Sequence, residues 1–196
     1  MGSRQTPCVT FDMMDSAALI TRLEAALGGG WEAASATDQP TLFVPADRLL
    51  EAGRFLRDDP DLRFTLLADL TAVDWLPREP RFEVIYHLVS IEHRYRLRLK
   101  VRVGGQSPSL ATTAEVWPAA GWLEREVWDL FGIVFDGHPD LRRLLMPEDW
   151  EGHPLRKDYP VQITMAAKTA EPLQVTEEEF RARLEHDRRV RTEGRT

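Results

Sequence analysis

The residues of this chain that could do chemistry are concentrated in two neighbouring stretches. The first is Glu124-Arg125-Glu126, whose two carboxylates could serve as a general acid and a general base. On a helix, however, positions two apart point in directions about 200° apart, so these carboxylates cannot share one substrate. The sequence therefore disfavours catalysis by this trio. It predicts instead that Arg125 pairs with Asp129, and that Glu126 enters a buried or interfacial ion pair.

The second stretch, residues 137–160, reads GHPDLRRLLMPEDWEGHPLRKDYP, and we call it the strap. His138 and His153 could bind a metal ion together with Asp140 or Asp149, but their spacing matches no compact metal-binding motif. We therefore expect each histidine to fix a turn through hydrogen bonds. The four prolines of the strap exclude long helices, and it lacks the sustained alternation of a strand. The sequence predicts an extended segment.

Composition and motifs argue against several other functions. A net charge of −7 disfavours general nucleic-acid binding. The chain lacks the GxGxxG sequence, the GxxxxGK phosphate loop and the GxSxG elbow, which bind nucleotides or carry a nucleophile. Its single cysteine, Cys8, can neither form an internal disulfide nor hold an iron–sulfur cluster, which needs about four ligands. We expect the chain to bind no cofactor or metal, so that any redox centre belongs to another chain.

Sequence periodicity predicts the elements that must position these residues. Apolar spacing predicts amphipathic helices at three places, residues 16–27, 46–60 and 119–132. Apolar and β-branched runs predict four strands, at residues 41–45, 63–75, 81–90 and 94–103. The last three strands should form an antiparallel meander with one buried face.

Strand 94–103 shows the clearest alternation in the chain. Its apolar side chains point one way, and five basic side chains point the other, namely Arg94, Arg96, Arg98, Lys100 and Arg102. This basic face could bind phosphates or nucleic acid, or dock an acidic protein surface. The favoured interpretation is a solvated outer face that is partly balanced by cross-strand partners such as Glu83.

The order of elements predicts an α+β fold with two layers, in which helices pack on one face of a mostly antiparallel sheet. Residues 1–132 form the predicted globular domain. Residues 133–196 are expected outside it, comprising the extended proline-rich strap and a peripheral C-terminal helix opened by a capping box at residues 176–179. The chain has no apolar run of about 18 residues and no apolar signal-peptide region near its start, so we expect no transmembrane segment and a cytosolic location.

Residues 124–160 closely resemble, without gaps, the signature of the 30 kDa subunit of respiratory complex I, which is the C subunit of bacterial NADH–quinone oxidoreductases. Residues 67–75, LADLTAVDW, resemble a second and weaker block of that family. The resemblance implies a non-catalytic structural subunit in the hydrophilic arm of a proton-translocating complex. That complex passes electrons from NADH to quinone through FMN and iron–sulfur clusters, which partner subunits would hold.

The resemblance also implies a place and partners for the chain. It would be a peripheral subunit of a hetero-oligomeric complex on the cytoplasmic face of the bacterial inner membrane. Its strap would clamp the 49 kDa-like subunit and the neighbouring iron–sulfur subunits, with charged groups for register and apolar groups as anchors. The residues expected at this interface are Glu124, Arg125, Glu126, Asp129, His138, Asp140, Leu141, Arg142, Arg143, Asp149, Trp150, His153, Leu155, Arg156, Lys157, Asp158 and Tyr159.

Two alternatives stay open at this point. The chain could be the equivalent subunit of a related membrane-bound hydrogenase or of a ferredoxin-fed dehydrogenase complex, since such subunits share much of the helix around Glu124. A less favoured alternative is an independent hydrolase that uses His138, His153 and the nearby aspartates.

Overall fold

The computed structural model of the chain describes residues 16–34, 38–160 and residue 181. Three α-helices lie in these ranges: α1 (Ser16–Leu27), α2 (Leu49–Asp58) and α3 (Ala120–Phe131). They also contain seven strands: β1 (Glu32–Ala33), β2 (Thr41–Phe43), β3 (Leu66–Asp74), β4 (Phe82–Ser90), β5 (Tyr95–Val103), β6 (Ser109–Ala111) and β7 (Val134–Asp136). The predicted capping box at residues 176–179 lies outside the described residues.

The three helices form where apolar spacing predicted them. Helix α2 begins later than predicted, because Ala46–Arg48 forms a 3-10 turn before it. Helix α3 ends at Phe131 and is followed by Gly132, which adopts the left-handed conformation with φ 70°. The N–H of Gly132 donates to the carbonyl of Trp128 at 2.8 Å, which is the usual way that glycine closes a helix.

Strands β3, β4 and β5 form the predicted antiparallel meander, and they make up most of a five-stranded sheet. The strand order in that sheet is β1-β2-β5-β4-β3. Strand β2 lies parallel to β5, with Leu42 opposite Leu99, and the two-residue β1 pairs antiparallel with β2. The sheet is therefore mostly antiparallel, and the predicted α+β fold is confirmed.

The core lies between the helices and one face of the sheet. Leu97, Leu99 and Val101 of β5 are fully buried there, as their alternation predicted. Trp117, which precedes α3, is among the largest fully buried side chains, and its indole N–H donates to the carbonyl of Phe64 at 2.9 Å. This satisfied indole ties the segment before α3 to the start of the meander.

Strands β6 and β7 were not predicted, because three-residue strands show no measurable alternation. They pair in parallel, with Ser109 opposite Val134 and Ala111 opposite Asp136. In the sequence, β6 precedes α3 and β7 follows it. This pairing brings the chain before α3 and the chain after α3 together. It thereby fixes both ends of the helix that carries the candidate site.

The basic face of β5 is largely balanced by acidic side chains of the same chain. Arg98 pairs with Asp38 at 2.7 Å, and Lys100 pairs with Glu83 at 2.8 Å. Arg102 lies 3.4 Å from Glu32 and also stacks on the Phe43 ring. These contacts support the interpretation of a solvated and internally balanced face.

Candidate partner interface on helix α3 and the strap

Asp129 of α3 is a buried carboxylate that organises four consecutive residues of the strap. Its Oδ2 atom accepts the backbone N–H groups of Leu144, Leu145 and Met146 at 3.0, 2.8 and 2.8 Å. Its Oδ1 atom accepts a hydrogen bond from the guanidinium of Arg143 at 2.6 Å. The strap forms no β-ladder, so its backbone N–H groups need other acceptors. Asp129 of α3 supplies one for Leu144, Leu145 and Met146.

The electrostatics of Asp129 follow from these contacts. Burial alone would raise the pKa of its carboxyl, since it disfavours the charged form. The three backbone donors and Arg143 outweigh burial, so the pKa of Asp129 lies below its ordinary value. Asp129 is therefore charged at neutral pH, and the strap provides the groups that stabilise the charge.

The predicted pair between Arg125 and Asp129 is wrong. Arg125 donates instead to the backbone carbonyls of Arg142 and Arg143, both at 3.1 Å. Its guanidinium also lies 3.9 Å from the carboxylate of Asp140. The helix directs both buried groups towards the strap, where each finds better hydrogen-bond geometry than a partner four residues away on the same helix.

Carbonyl groups at the end of α3 also accept hydrogen bonds from the strap. The Nδ1–H of His153 donates to the carbonyl of Asp129 at 2.9 Å. Arg156 donates through Nε to the carbonyl of Phe131 at 2.5 Å and through Nη2 to that of Gly132 at 3.2 Å. The last carbonyls of a helix have no partner within it, so the strap caps α3.

The strap residues that cap α3 lie directly against Gly132. A Cβ atom at this position would lie 2.5 Å from Nε2 of His153 and 2.7 Å from Nη2 of Arg156. The sequence predicted Gly132 as the end of the helix but not as a contact surface. The strap can approach this closely only because glycine has no side chain.

A third anchor joins the end of the strap to the sheet. Arg81, which directly precedes β4, bonds the carboxylates of Asp74 at 2.6 Å and Asp158 at 2.7 Å. The backbone N–H of Lys157 also donates to Asp74 at 2.8 Å. The hydrogen bond from Arg81 lowers the pKa of the Asp74 carboxyl and outweighs its burial. Asp74 and Arg81 were not predicted as site residues, although Asp74 lies in the second block of the resemblance.

His138 fixes a turn, as expected. The backbone N–H of Asp140 donates to its Nδ1 at 3.0 Å, so the ring proton must sit on Nε2. That Nε2–H donates to the carbonyl of Gly121 at 2.9 Å. In the part of the chain that the structure describes, no three histidine, cysteine, aspartate or glutamate side chains come close enough to hold a metal ion.

Glu124, not Glu126, is the fully buried carboxylate of the trio. It accepts hydrogen bonds from the Thr112 hydroxyl at 2.5 Å and from the N–H and hydroxyl of Thr113 at 2.7 and 2.8 Å. Burial raises the pKa of Glu124, and these hydrogen bonds offset only part of the rise. Glu124 thus holds the segment before α3, whereas Glu126 is half-buried and forms no ion pair with a described residue.

We expect Glu124→Gln to be better tolerated at neutral pH than at acid pH. The raised pKa means that the folded chain holds this proton more tightly than the unfolded chain. The wild type therefore loses stability as the pH rises from the ordinary value of 4.5 through the higher pKa of the folded chain, whereas the amide does not titrate. Urea unfolding at about pH 4 and about pH 7 would measure this. A difference between wild type and variant that is independent of pH would contradict the expectation.

The remaining candidate residues face outward. Leu145 and Leu155 expose 58% and 51% of their surface. Charged side chains around them are exposed as well, namely those of Arg142, Asp149 and Lys157. The structure therefore separates the candidate set into groups that hold the strap on α3 and the sheet, and groups that the strap presents to its surroundings.

Trp150 and Tyr159 belong to both groups. Their rings stack with centroids 6.5 Å apart, and the Tyr159 hydroxyl donates to the carbonyl of Glu151 at 3.1 Å. The indole N–H of Trp150 is buried without a hydrogen-bond partner among the described residues. The aromatic pair thus closes the last loop of the strap.

Leu141 is half-buried and packs against the core.

The comparison with protein families identifies the kind of chain that carries this site. Residues 42–164 match the family described as "Respiratory-chain NADH dehydrogenase, 30 Kd subunit". This places the chain among the subunits of respiratory-chain oxidoreductases. More particularly, the chain belongs to the family of the 30 kDa subunit of respiratory-chain NADH dehydrogenase, as its resemblance implied.

Curated relatives agree with this family. The C subunit of NADH-quinone oxidoreductase from Roseiflexus sp. (strain RS-1) is 50% identical over 157 residues, which are 80% of this chain and 90% of the relative. The C/D subunit of NADH-quinone oxidoreductase from Methylococcus capsulatus is 48% identical over 149 residues, which are 72% of this chain and 25% of that longer protein.

Solved structures show the same fold. The trypsin-resistant fragment (1-134) of Nqo5 has a TM-score of 0.54 and 34% identity, covering 65% of this chain and all of the fragment. A chain of the membrane-bound sulfane sulfur reductase, an archaeal respiratory membrane complex, has a TM-score of 0.63 and 26% identity, covering 74% of this chain and 85% of that chain. Among the described residues, no helix is both long enough and apolar enough to cross a bilayer.

Proposed function

We propose that this chain is a non-catalytic structural subunit in the hydrophilic arm of a proton-translocating NADH:quinone oxidoreductase. Beyond membership of the family, one structural observation supports the proposal. The strap is held on α3 by the buried Asp129 carboxylate, yet it leaves Leu145 and Leu155 about half exposed. We infer that this ordered segment, with two leucines in solvent, is a surface that another protein covers.

The anchors change the expected role of the partner. The sequence predicted an extended strap that would clamp the partner subunits. Asp129 and Arg125 already satisfy backbone groups of residues 142–146 within the chain. The strap is therefore preorganised, so that little conformational entropy is lost when the partner binds.

We assign the partner surface to the 49 kDa-like subunit and the iron–sulfur subunits next to it. The relative that carries the C and D subunits in one chain supports the first of these, because fusion keeps two portions close together. FMN and the iron–sulfur clusters belong to partner subunits in this proposal, and this chain binds no cofactor. The assembly places the chain peripherally on the cytoplasmic face of the bacterial cell membrane.

A second candidate function has one observation in its favour. The archaeal sulfane sulfur reductase chain shares the fold at 26% identity, so the same subunit type serves a respiratory complex of another kind. The 50% identity to an NADH-quinone oxidoreductase subunit favours the first function. The proteins that co-purify with the chain distinguish the two, because an NADH-oxidising flavoprotein belongs to the first alone.

We expect Leu145→Ser combined with Leu155→Ser to weaken retention of the partner by about tenfold or more for each leucine. Both side chains are about half exposed, so their loss should leave the folding stability of the chain almost unchanged. The measurement is the amount of partner that co-purifies with a C-terminally tagged chain from mild-detergent extracts of native membranes.

Ile91→Ser is the matched control for this experiment. Ile91 exposes 67% of its surface but lies in the turn between β4 and β5, away from the strap. Its substitution should leave the partners bound. Wild-type chain that emerges alone from the membrane extract would overturn the proposed function. If the double variant retains its partners as well as the wild type does, the interface does not lie on the strap.

A further inference from the structure

Trp122 is the most exposed aromatic side chain in the part of the chain that the structure describes. It lies in the first turn of α3, and 62% of its surface is in solvent. Tryptophan is among the residue types most enriched in the residues that dominate binding energy at protein interfaces. A single exposed ring does not define a binding site, since isolated apolar residues on a surface are normal. The surroundings of Trp122 therefore decide its role.

Trp122 begins the stripe of α3 that holds the strap. Trp122, Arg125 and Asp129 follow one another at intervals of three and four positions, so they lie along one side of the helix. The strap covers the last two, since Arg125 and Asp129 are 8% and 0% exposed. It also reaches the start of the helix, where His138 donates to the carbonyl of Gly121 at 2.9 Å. The strap nevertheless leaves the Trp122 ring uncovered.

Arg125 joins the Trp122 ring to the outward surface of the strap. Its guanidinium lies 5.0 Å from the centroid of the ring and donates to the carbonyls of Arg142 and Arg143 at 3.1 Å. Leu145 follows Arg143 by two positions, which is at most about 7 Å along the chain. A standard interface covers about 800 Å² on each partner, a patch roughly 30 Å across. A partner that covers Leu145 is therefore wide enough to cover Trp122 as well.

Shielding of Arg125 does not account for the exposure of Trp122. An arginine over a ring is a stabilising contact, but it occupies only one face of that ring. Trp31 and Phe82 also have an arginine guanidinium over the ring, at 4.6 and 4.8 Å, and they are 7% and 1% exposed. In Trp122 the contact with Arg125 leaves most of the ring free to make another one.

The charges beside Trp122 indicate what the other contact must provide. The carboxylate of Asp140 accepts a hydrogen bond from Nε of Arg142 at 3.0 Å and lies 3.9 Å from the guanidinium of Arg125. Two positive groups thus share one negative group. The side chain of Arg142 is 72% exposed, so the excess positive charge faces solvent. A carboxylate on a partner would complement it.

We propose that Trp122 is the principal anchor of the partner surface and enters an apolar pocket on the subunit that covers Leu145, with a carboxylate of that subunit beside Arg142. This inference rests on the proposed function, which assigns the strap surface to the 49 kDa-like subunit. The ring projects from an ordered helix, so little conformational entropy is lost when the pocket closes around it. The leucines of the strap extend the same contact.

Photo-crosslinking in the native complex tests which chain covers the ring. The full-length tagged chain carries p-benzoylphenylalanine at position 122, at position 145 or at position 91, and native membranes are irradiated before the tagged chain is purified. Mass spectrometry then identifies the chain that is attached. Positions 122 and 145 should capture the same partner subunit. Position 91 is the control, because Ile91 is 67% exposed but lies in the turn between β4 and β5.

Trp122→Ala measures the strength of the anchor. The amount of partner that co-purifies should fall by at least about tenfold. Ile91→Ala is the matched control and should retain the partner. Urea unfolding of the same chains reports whether the loss of the ring over Arg125 has destabilised the fold. If it has, the photo-crosslink decides, since position 122 keeps an aromatic side chain there.

Arg142→Glu tests the expected carboxylate of the partner. Reversal of this charge should lower retention by about tenfold, because it places two negative groups side by side. Arg54→Glu is the control. Like Arg142, Arg54 is exposed and bonds an exposed carboxylate, that of Glu115 at 3.2 Å, but it lies on α2. Retention by Arg142→Glu equal to that of the control would overturn the carboxylate beside Arg142.

The outcomes separate this inference from the function on which it rests. If position 145 captures a partner while position 122 captures none, or captures a different subunit, the anchor is overturned and the structural role stands. If position 122 captures a second copy of this chain, the pocket on the partner is overturned. If the wild-type chain co-purifies with no partner, the proposed function fails and the anchor fails with it.

Discussion

Gly132→Ala is expected to release the end of the strap from α3 and to destabilise the chain by about 2–4 kcal/mol. Two costs add at this position. Alanine adopts the φ of 70° found here less readily than glycine does. Its Cβ would also lie 2.5 Å from Nε2 of His153, so His153 and Arg156 must move and leave the last carbonyls of α3 without donors.

Gly121→Ala in the same helix is the control for this prediction. A Cβ at Gly121 meets no atom within 4 Å, so alanine should raise the helix propensity and stabilise the chain by about 0.5–1 kcal/mol. Urea unfolding measures both stabilities, and limited trypsin digestion after Arg156 and Lys157 reports release of the end of the strap. If Gly132→Ala has the same stability as the wild type and its strap stays uncleaved, the strap does not depend on this residue.

Asp129→Asn is expected to cost about 3–5 kcal/mol, which is typical of removing one partner from a buried ion pair. The amide keeps the size of the side chain but not its charge. It would leave the guanidinium of Arg143 without its carboxylate and would turn an N–H₂ group towards backbone donors of the strap, such as that of Leu145. The strap should then detach along residues 143–146, and retention of the partner should fall with it.

The same carboxylate predicts how stability depends on pH. The pKa values of Asp129 and Asp74 are lowered in the folded chain from an ordinary value of 3.8. The unfolded chain therefore binds more protons, so this stabilisation is complete above about pH 5 and is lost as the pH falls below 3.8. The stability difference between wild type and Asp129→Asn should shrink over that acid range, because protonation removes the charge that the variant lacks.

Glu126→Gln is the control for Asp129→Asn. Glu126 is half-buried on the same helix and forms no ion pair with a described residue, so its neutralisation should change stability by less than about 0.5 kcal/mol. A loss of stability in Asp129→Asn no larger than in this control would contradict the assigned role of Asp129. So would an acid dependence identical to that of the wild type.

The strap is thus a folded part of the chain up to Tyr159. Residues 133–159, which were predicted to lie outside the globular domain together with the peripheral helix, belong to the same compact unit as the sheet. Three carboxylate and carbonyl anchors hold them there, on Asp129, on the end of α3 and on Asp74. The clamp that we propose therefore acts as a rigid surface and not as a flexible arm.

Local patterns in the sequence were sufficient for the helices, the meander and the family. Alternation in strand 94–103 reports which side chains face the core, because successive side chains of a strand point to opposite faces. The helical spacing around Leu123 and Val127, and the glycine at 132, likewise depend on residues only a few positions apart. Strands β1, β6 and β7 were missed because they are too short to show a period.

The packing of separate elements determined how the candidate residues are used. Asp129 and Arg125 are four residues apart, which predicted a pair, yet each bonds residues of the strap 14 to 18 positions away. Asp74 binds the backbone of Lys157 from 83 positions away. Sequence spacing shows which groups can meet within one element. Which of those groups are buried, and against what, depends on how the helices, the sheet and the strap pack together, and burial decides which hydrogen bonds a charged group must make.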